Sequence, residues 1–537
     1  MEFRLNSKHL YALGWLVAGI LVLALYASFS VNLPARYNSP DEAANAFFAT
    51  RLAQNRWLPL YEPLNQLAGR SLIHPRSTIV YNQQIMPASF LGWPLLAGSI
   101  GRLAGSGALP YITPLLALLG LGFLYLITKE LLNQRAAIIT TLLTALQPAF
   151  WYYHSRSFFH NAVFVDLLLV AVWLGLKIIK TNKCGWYLLL GLVSGLALSV
   201  RTAEIFWFIV VGLWWLIYWR RQVSFKNLWL ISLGLIIGLA PIFISNYFLY
   251  GFPLSFGYRP ELLWSQDMNR TASLFSELIL PFGFHPRLIF NTTVNYLGLL
   301  MWWWFWPVLA AAIYLAVTWR SLSREFKGLI ISTVIISLWL AIVYGSWQFN
   351  DNPDPAAVTI GTSYVRYFMP LYILWLIPVG YFLAQLSKLK WGRYLTWFVV
   401  GIYLVLSTSL VWFDYQEGLG AVRGNLERFA TASRAVQTLT PSGSVIVSGK
   451  TDKFFWPERA VIYELKDAAD YLAVTKLLSS AIPVYAFRAT LQPDSLANFN
   501  NKISPFGLTL VPASYTWEDF SLYKYELKVN LYLGLYK

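Results

Sequence analysis

The sequence predicts an all-α polytopic membrane domain over residues 1–413, followed by an external α/β domain over residues 414–537. Three observations carry this. Of 537 residues, 57% are hydrophobic and 12% charged, more apolar than a soluble globular domain needs. Apolar runs approaching the roughly twenty residues of a spanning helix recur up to residue 413. Beyond that point the chain turns polar and alternates helical with strand-like stretches.

The first run, residues 10–29, follows Arg4 and Lys8 and is longer than the core of a cleaved signal peptide. It reads as a retained anchor with a cytoplasmic N-terminus. Further runs lie at 111–128, 136–150, 162–179, 186–200, 203–219, 228–249, 296–318, 328–347, 364–386 and 394–413. With about eleven crossings starting inside, every lysine before residue 414 falls at or near the cytoplasmic face, in connectors such as those holding Lys129, Lys183, Lys226, Lys327 and Lys388. The external loops then contain arginine and no lysine. This parity requires that the apolar run 88–103 does not cross, so it reads as a re-entrant or interfacial helix; a true crossing here, with one of the shorter runs failing to cross, is the alternative. The external segments are 31–110, 250–295 and 348–363. In the last domain, helical stretches at 425–438 and 466–478 alternate with strand-like runs at 444–448, 460–464, 483–487, 508–511 and 520–526.

The net charge of +16 does not mark a nucleic-acid binder, because the basic residues sit in short loops where they orient helices and meet anionic lipid. A single cysteine, Cys184, excludes an intramolecular disulfide. Among the residues that carry chemistry, Ser39-Pro40-Asp41-Glu42 places two adjacent carboxylates just after the first span. Two readings fit. Ser39 suits an N-cap, Pro40 the first helical position and Glu42 a capping box; equally, a rigid helix start is a good mount for a general base. A second set is the external arginines Arg51, Arg56, Arg70, Arg76, Arg156, Arg201, Arg259, Arg287 and Arg366, whose planar forks match phosphate oxygens. Arg51 and Arg56 fall on the far part of an amphipathic helix, and Arg201 pairs with Glu204 at helical spacing. Arg156 and Arg366 lie beside aromatics at membrane edges. His74, His154, His160 and His285 show no metal-ligand spacing, and Asp166 lies inside a span. Asn269 and Asn291 begin glycosylation sequons, a pattern common by chance. There is no phosphate-cradling glycine loop and no serine-triad signature.

These residues resemble the GT-C glycosyltransferases, and within them the branch of the protein O-mannosyltransferases and the lipid A aminoarabinose transferases. Pro40-Asp41-Glu42-Ala43 matches the family's Asp-Glu opening of the first external loop. The stretch 124–135 looks like its span end and basic turn, followed by an apolar span ending at Gln147-Pro148 and then by Arg156. The stretches 246–253 and 364–370 are also similar. Where the family often has His-Pro-Pro, this chain has Met86-Pro87-Ala88, with a separate His74-Pro75-Arg76 earlier.

The resemblance, covering residues 1–413, implies transfer of a sugar from a polyprenyl-phosphate carrier to a hydroxyl of a glycan, lipid or protein on the external face, with inversion. It implies Asp41 as general base, with Glu42 orienting it or holding the acceptor. Arg156 and Arg366, then Arg76 and His154, are the expected groups at the departing phosphate. No cofactor is required; a divalent metal held by Asp41, Glu42 and a residue of the second external loop is the alternative. The expected setting is a bacterial or archaeal plasma membrane. The rival classes are a lipid or solute transporter or flippase, which would carry ionisable groups at mid-membrane, and a non-catalytic scaffold, which would not need carboxylates and arginines together at one face.

Overall fold

The structure, a computed structural model, describes residues 7–528 apart from residues 35, 256–279, 350, 353 and 355. Arg4, Arg259 and Asn269 lie outside the described residues.

Every expected apolar run is helical, but the runs are not equal. Eight helices among the described residues are long and apolar enough to cross a bilayer, including α1 (Ser7–Ala27) with the short turn that follows it. Three of the eleven expected runs fall short of that length as single straight helices. The run at 136–150 is split into α6 (Gln134–Ala145) and α7 (Pro148–Ser155), because Pro148 opens a new helix that Gln147 caps by accepting from the Phe150 N–H. The runs at 186–200 and 203–219 are α9 (Cys184–Val200) and α10 (Ile205–Tyr218), bent by 118° at a break after Val200. Each is shorter than a full span.

The first loop holds α2 (Pro40–Ala53), α3 (Leu64–Ala68), an antiparallel sheet in the order β1-β3-β2, and α4 (Gly92–Ala104). β1 is Leu60–Tyr61, β2 Thr78–Tyr81 and β3 Gln84–Pro87, with Thr78 opposite Pro87. The sequence reading did not find this sheet, whose strands are too short to show a period. At 1.5 Å per residue, α4 is about 20 Å long, short of a hydrocarbon core of about 30 Å. It packs on α2 instead: a Cβ on Gly98 would crowd Leu52.

Next come α5 (Ile112–Leu131), α8 (His160–Thr181) and α11 (Leu228–Tyr250). α9 and α11 approach to backbone contact through Gly191 and Gly195 on one and Gly234 and Gly238 on the other, each four residues apart. A Cβ on any of them would strike a carbonyl of the facing helix. In lipid, such small-residue seams supply the packing that hydrophobicity cannot. The bundle is completed by helices Trp302–Thr318, Arg324–Gly345, Met369–Leu374 with Leu376–Leu386, and Lys390–Thr408.

The C-terminal unit is a five-stranded sheet in the order β5-β4-β6-β8-β7. β4 (Val445–Val447) runs parallel to β5 (Ala460–Ile462) and β6 (Val484–Ala489); β8 (Phe520–Leu527) is antiparallel to β6 and β7 (Leu508–Trp517). The parallel pairs require crossovers, supplied by helices Asp452–Phe455 and Ala468–Ser479. All five strands stand where the alternation placed them. The first loop is built into this unit. Ala68 and Ile73 belong to its core, Ile73 bridges to Ile462 at the β5 edge, and Phe47 of α2 packs on Trp456 with ring centroids 4.0 Å apart. The Asp-Glu helix is thereby fixed between bundle and sheet.

Candidate active site

α2 starts as the capping pattern demands. The Ser39 hydroxyl accepts from the Asp41 N–H at 3.3 Å, and Glu42 Oε2 accepts from the Ser39 N–H at 2.9 Å. The capping role and a chemical role therefore coexist. Successive helical residues project about 100° apart, so the two carboxylates meet different neighbours.

On one side, Asp41 Oδ1 accepts from the Ser77 hydroxyl at 2.6 Å, and Oδ2 lies 3.1 Å from an Arg366 terminal nitrogen. The Asp41 side chain keeps 19% of its surface exposed. Arg366 also donates to the Ser363 hydroxyl at 2.8 Å, and its buried Nε–H has no acceptor among the described residues. Asp351 fixes the start of the short helix Ser363–Tyr367 that carries Arg366, its carboxylate accepting from the Ser363 N–H at 2.7 Å. Burial alone would raise the Asp41 pKa. The Arg366 charge and the Ser77 hydroxyl outweigh it and hold the carboxyl below its ordinary 3.8, so Asp41 is ionised at neutral pH.

On the other side, Glu42 is buried and paired with Arg156. Nε donates to Oε1 at 3.1 Å and a terminal nitrogen pairs with Oε2. Arg156 also donates to the Tyr152 hydroxyl at 2.7 Å. Burial raises the Glu42 pKa above its ordinary 4.5, with Arg156 offsetting part of the rise. Both guanidiniums lie against the Phe159 ring, that of Arg156 5.0 Å and that of Arg366 5.1 Å from its centroid. A cavity of about 290 Å³ borders Glu42 and Arg156, walled by Arg36, Tyr37 and Asn38 and by Val422 of the helix Leu419–Leu439.

Four of the six expected site residues are thus brought together: Asp41, Glu42, Arg156 and Arg366. Each of the two arginines is paired with a carboxylate, Arg156 with Glu42 and Arg366 with Asp41. Arg76 and His154 stand apart. Arg76 is held by Asp452, its Nε donating to Oδ1 at 3.0 Å, because the sheet unit presents a buried carboxylate there. His154 is fully buried, its Nδ1 2.7 Å from the Phe150 carbonyl oxygen and its Nε2 3.0 Å from Asp166. Arg201 pairs with Glu204 as expected, and its guanidinium also lies over the Tyr367 ring next to Arg366.

Sequence reasoning missed Asn45, Ser77, Asp452 and Lys453. Asn45 donates to the Phe158 carbonyl at 2.9 Å and contacts His160 Nδ1 at 3.1 Å. Its position one helical turn after Asp41 was a usable signal; the other three had none. Among the described residues, no three His, Cys, Asp or Glu side chains are grouped as a metal ion would need.

A family model described as dolichyl-phosphate-mannose-protein mannosyltransferase matches residues 99–247. A crystal structure of ArnT from Cupriavidus metallidurans bound to undecaprenyl phosphate aligns with a TM-score of 0.57 at 16% identity, over 95% of this chain and 98% of that one. The chain has the GT-C fold. The Archaeoglobus fulgidus oligosaccharyltransferase in its apo form shares the fold at a TM-score of 0.54 and 14% identity, over 89% of this chain and 69% of that one. AglB from the same organism, in complex with an inhibitory peptide and a dolichol-phosphate, gives 0.52 and 13%, over 90% and 70%. No curated protein matches in sequence. Within the GT-C fold the family match runs from α4 to α11, taking in Arg156 and leaving Asp41 and Arg366 outside it.

Proposed function

We propose that this chain is an integral-membrane glycosyltransferase that moves a sugar from a polyprenyl-phosphate carrier to a hydroxyl acceptor, with inversion at the anomeric carbon. The observation that carries the reading is Asp41: a carboxylate held ionised by Arg366 and Ser77, partly exposed, at a capped helix start. Asp41 takes the proton as the acceptor oxygen attacks the anomeric carbon. The bond from that carbon to phosphate oxygen breaks, and polyprenyl phosphate leaves with the electron pair. General-base assistance of this kind is worth roughly two to four orders of magnitude. The negative charge developing on the leaving oxygen requires fixed donors. Arg366 supplies one through its unpartnered Nε–H while its terminal nitrogen stays on Asp41. Arg156, tied to Glu42 and lying against the Phe159 ring, contributes its charge. Neither step routes through a metal, although Asp41 has surface to accept one. The site, the loop 31–110 and the domain 414–537 are placed outside, with the N-terminus of 1–413 in the cytoplasm of a bacterial or archaeal cell; the lysine partition supports this.

The test is sugar transfer by the purified protein from a panel of labelled polyprenyl-phosphate sugars, with water or a lipid extract as acceptor, beside Asp41→Asn. Release by the wild type and loss of at least about a hundredfold in an equally folded variant is expected. Equal release from both removes Asp41 from the mechanism.

A further inference from the structure

Two consecutive residues of the C-terminal unit, Asp452 and Lys453, hold the two sides of Asp41. Asp452 is fully buried and grips Arg76 through both backbone and side chain. The Arg76 N–H donates to Oδ2 at 2.7 Å, Nε to Oδ1 at 3.0 Å and a terminal nitrogen to Oδ1 at 2.7 Å. The next residue, Ser77, is the one whose hydroxyl donates to Asp41, and its φ is +58°. Serine rarely adopts that left-handed conformation and keeps it only where its surroundings impose it. On the other side, the Lys453 ammonium donates to the carbonyl of Asn38, immediately before the Ser39 cap. The hydroxyl that faces Asp41 and the cap that starts its helix are therefore both tied to residues more than 370 positions away.

Ordinary domain packing does not need this arrangement. Phe47 against Trp456 already supplies an apolar contact, and the rim pair Arg70–Asp467 is exposed at 40% and 54%. Asp452, in contrast, is a carboxylate with 1% of its side chain exposed. A charge buried so deeply adds little net stability over an apolar residue of the same shape, and its best-attested use is to fix register.

We propose that Asp452 and Lys453 are positioning residues for Asp41, which makes the C-terminal unit a working part of the reaction centre. The proposal rests on the reading of Asp41 as the base. Without Asp452, Ser77 relaxes to an ordinary φ and its hydroxyl turns away; without Lys453, the cap loses its tether. Asp41 keeps Arg366 in both cases but no longer has one fixed orientation.

The test uses the full chain in nanodiscs with Asp452→Asn, Lys453→Met and the reversed pair Arg76→Asp with Asp452→Arg. Two readouts are taken: hydrogen exchange of the amides of residues 39–44 and 76–81, and kcat and KM for sugar transfer. The expected result for Asp452→Asn is exchange in both segments faster by about tenfold, kcat lower by about ten- to a hundredfold and KM within about twofold, in a variant still folded at the assay temperature. The reversed pair recovers part of both losses. Unchanged exchange, unchanged kcat, or a rise in KM alone overturns the proposal. A wild type that transfers no sugar overturns the functional reading instead, and the exchange data then decide the positioning separately.

Discussion

The Glu42–Arg156 pair gives the sharpest energetic prediction, because its two members respond differently to losing the partner. Both side chains are 3% exposed, so solvent screening gives little relief. Glu42→Gln removes the carboxylate and leaves a guanidinium that cannot deprotonate. Breaking a buried pair from one side costs about 3–5 kcal/mol, and the variant keeps no carboxyl at this position to titrate. Arg156→Met leaves a buried carboxyl that can escape by taking a proton. Burial already raises the Glu42 pKa, and Arg156 is the main group opposing the rise. In the variant the folded-state pKa therefore climbs further above the unfolded value. A raised folded pKa means that stability is fully present below the unfolded pKa and is lost as pH rises through the folded one. Arg156→Met should accordingly be least damaged near pH 4.5 and most damaged at pH 7 and above. The double variant Glu42→Gln with Arg156→Met should cost less than the sum of the singles by about 2 kcal/mol or more at pH 7. Denaturant unfolding followed by tryptophan fluorescence at pH 5 and pH 8 reads all three. Additive single costs within about 0.5 kcal/mol, or an Arg156→Met cost independent of pH, would refute the reasoning.

Three further outcomes follow from the same geometry. The carboxyl of Asp41 is held below 3.8, so its contribution to stability is present above that pH and is lost as pH falls through the lower folded value; the wild-type rate should stay level from pH 7 to about 5, and a rate halved by pH 6 would contradict this. Burial lowers the Lys453 ammonium to about 8 from 10.5, so stability should rise with pH between those values in the wild type and should lose that slope in Lys453→Met, as measured by melting midpoint. Gly234→Leu would drive a side chain into the Leu188 carbonyl across the α9–α11 seam and should destabilise by about 1–3 kcal/mol or more, whereas Gly212→Ala, which meets open space, should change the midpoint little.

Much of this protein could be read without coordinates. Apolar runs of spanning length, the lysine partition and the alternation after residue 413 are local or additive properties, so composition and period report them directly. The capped Asp-Glu helix start is local as well, since Ser39, Pro40 and Glu42 act within one turn. Arg156 and Arg366 stood out because arginine beside aromatics at a membrane edge is chemically conspicuous. Tertiary structure alone decided how these groups are used. Adjacent residues on a helix diverge, so Asp41 and Glu42 each took one arginine, with both guanidiniums against Phe159. Arg76 and His154 ranked behind them, and Asp452 and Asp166, distant or buried, hold these two instead. The bend of 118° after α9 and the glycine seam with α11 depend on which helices become neighbours. Ser77, Asp452 and Lys453 are ordinary residues in sequence. They bear on Asp41 because the chain closes back on itself, and no local period records a contact made across 376 residues.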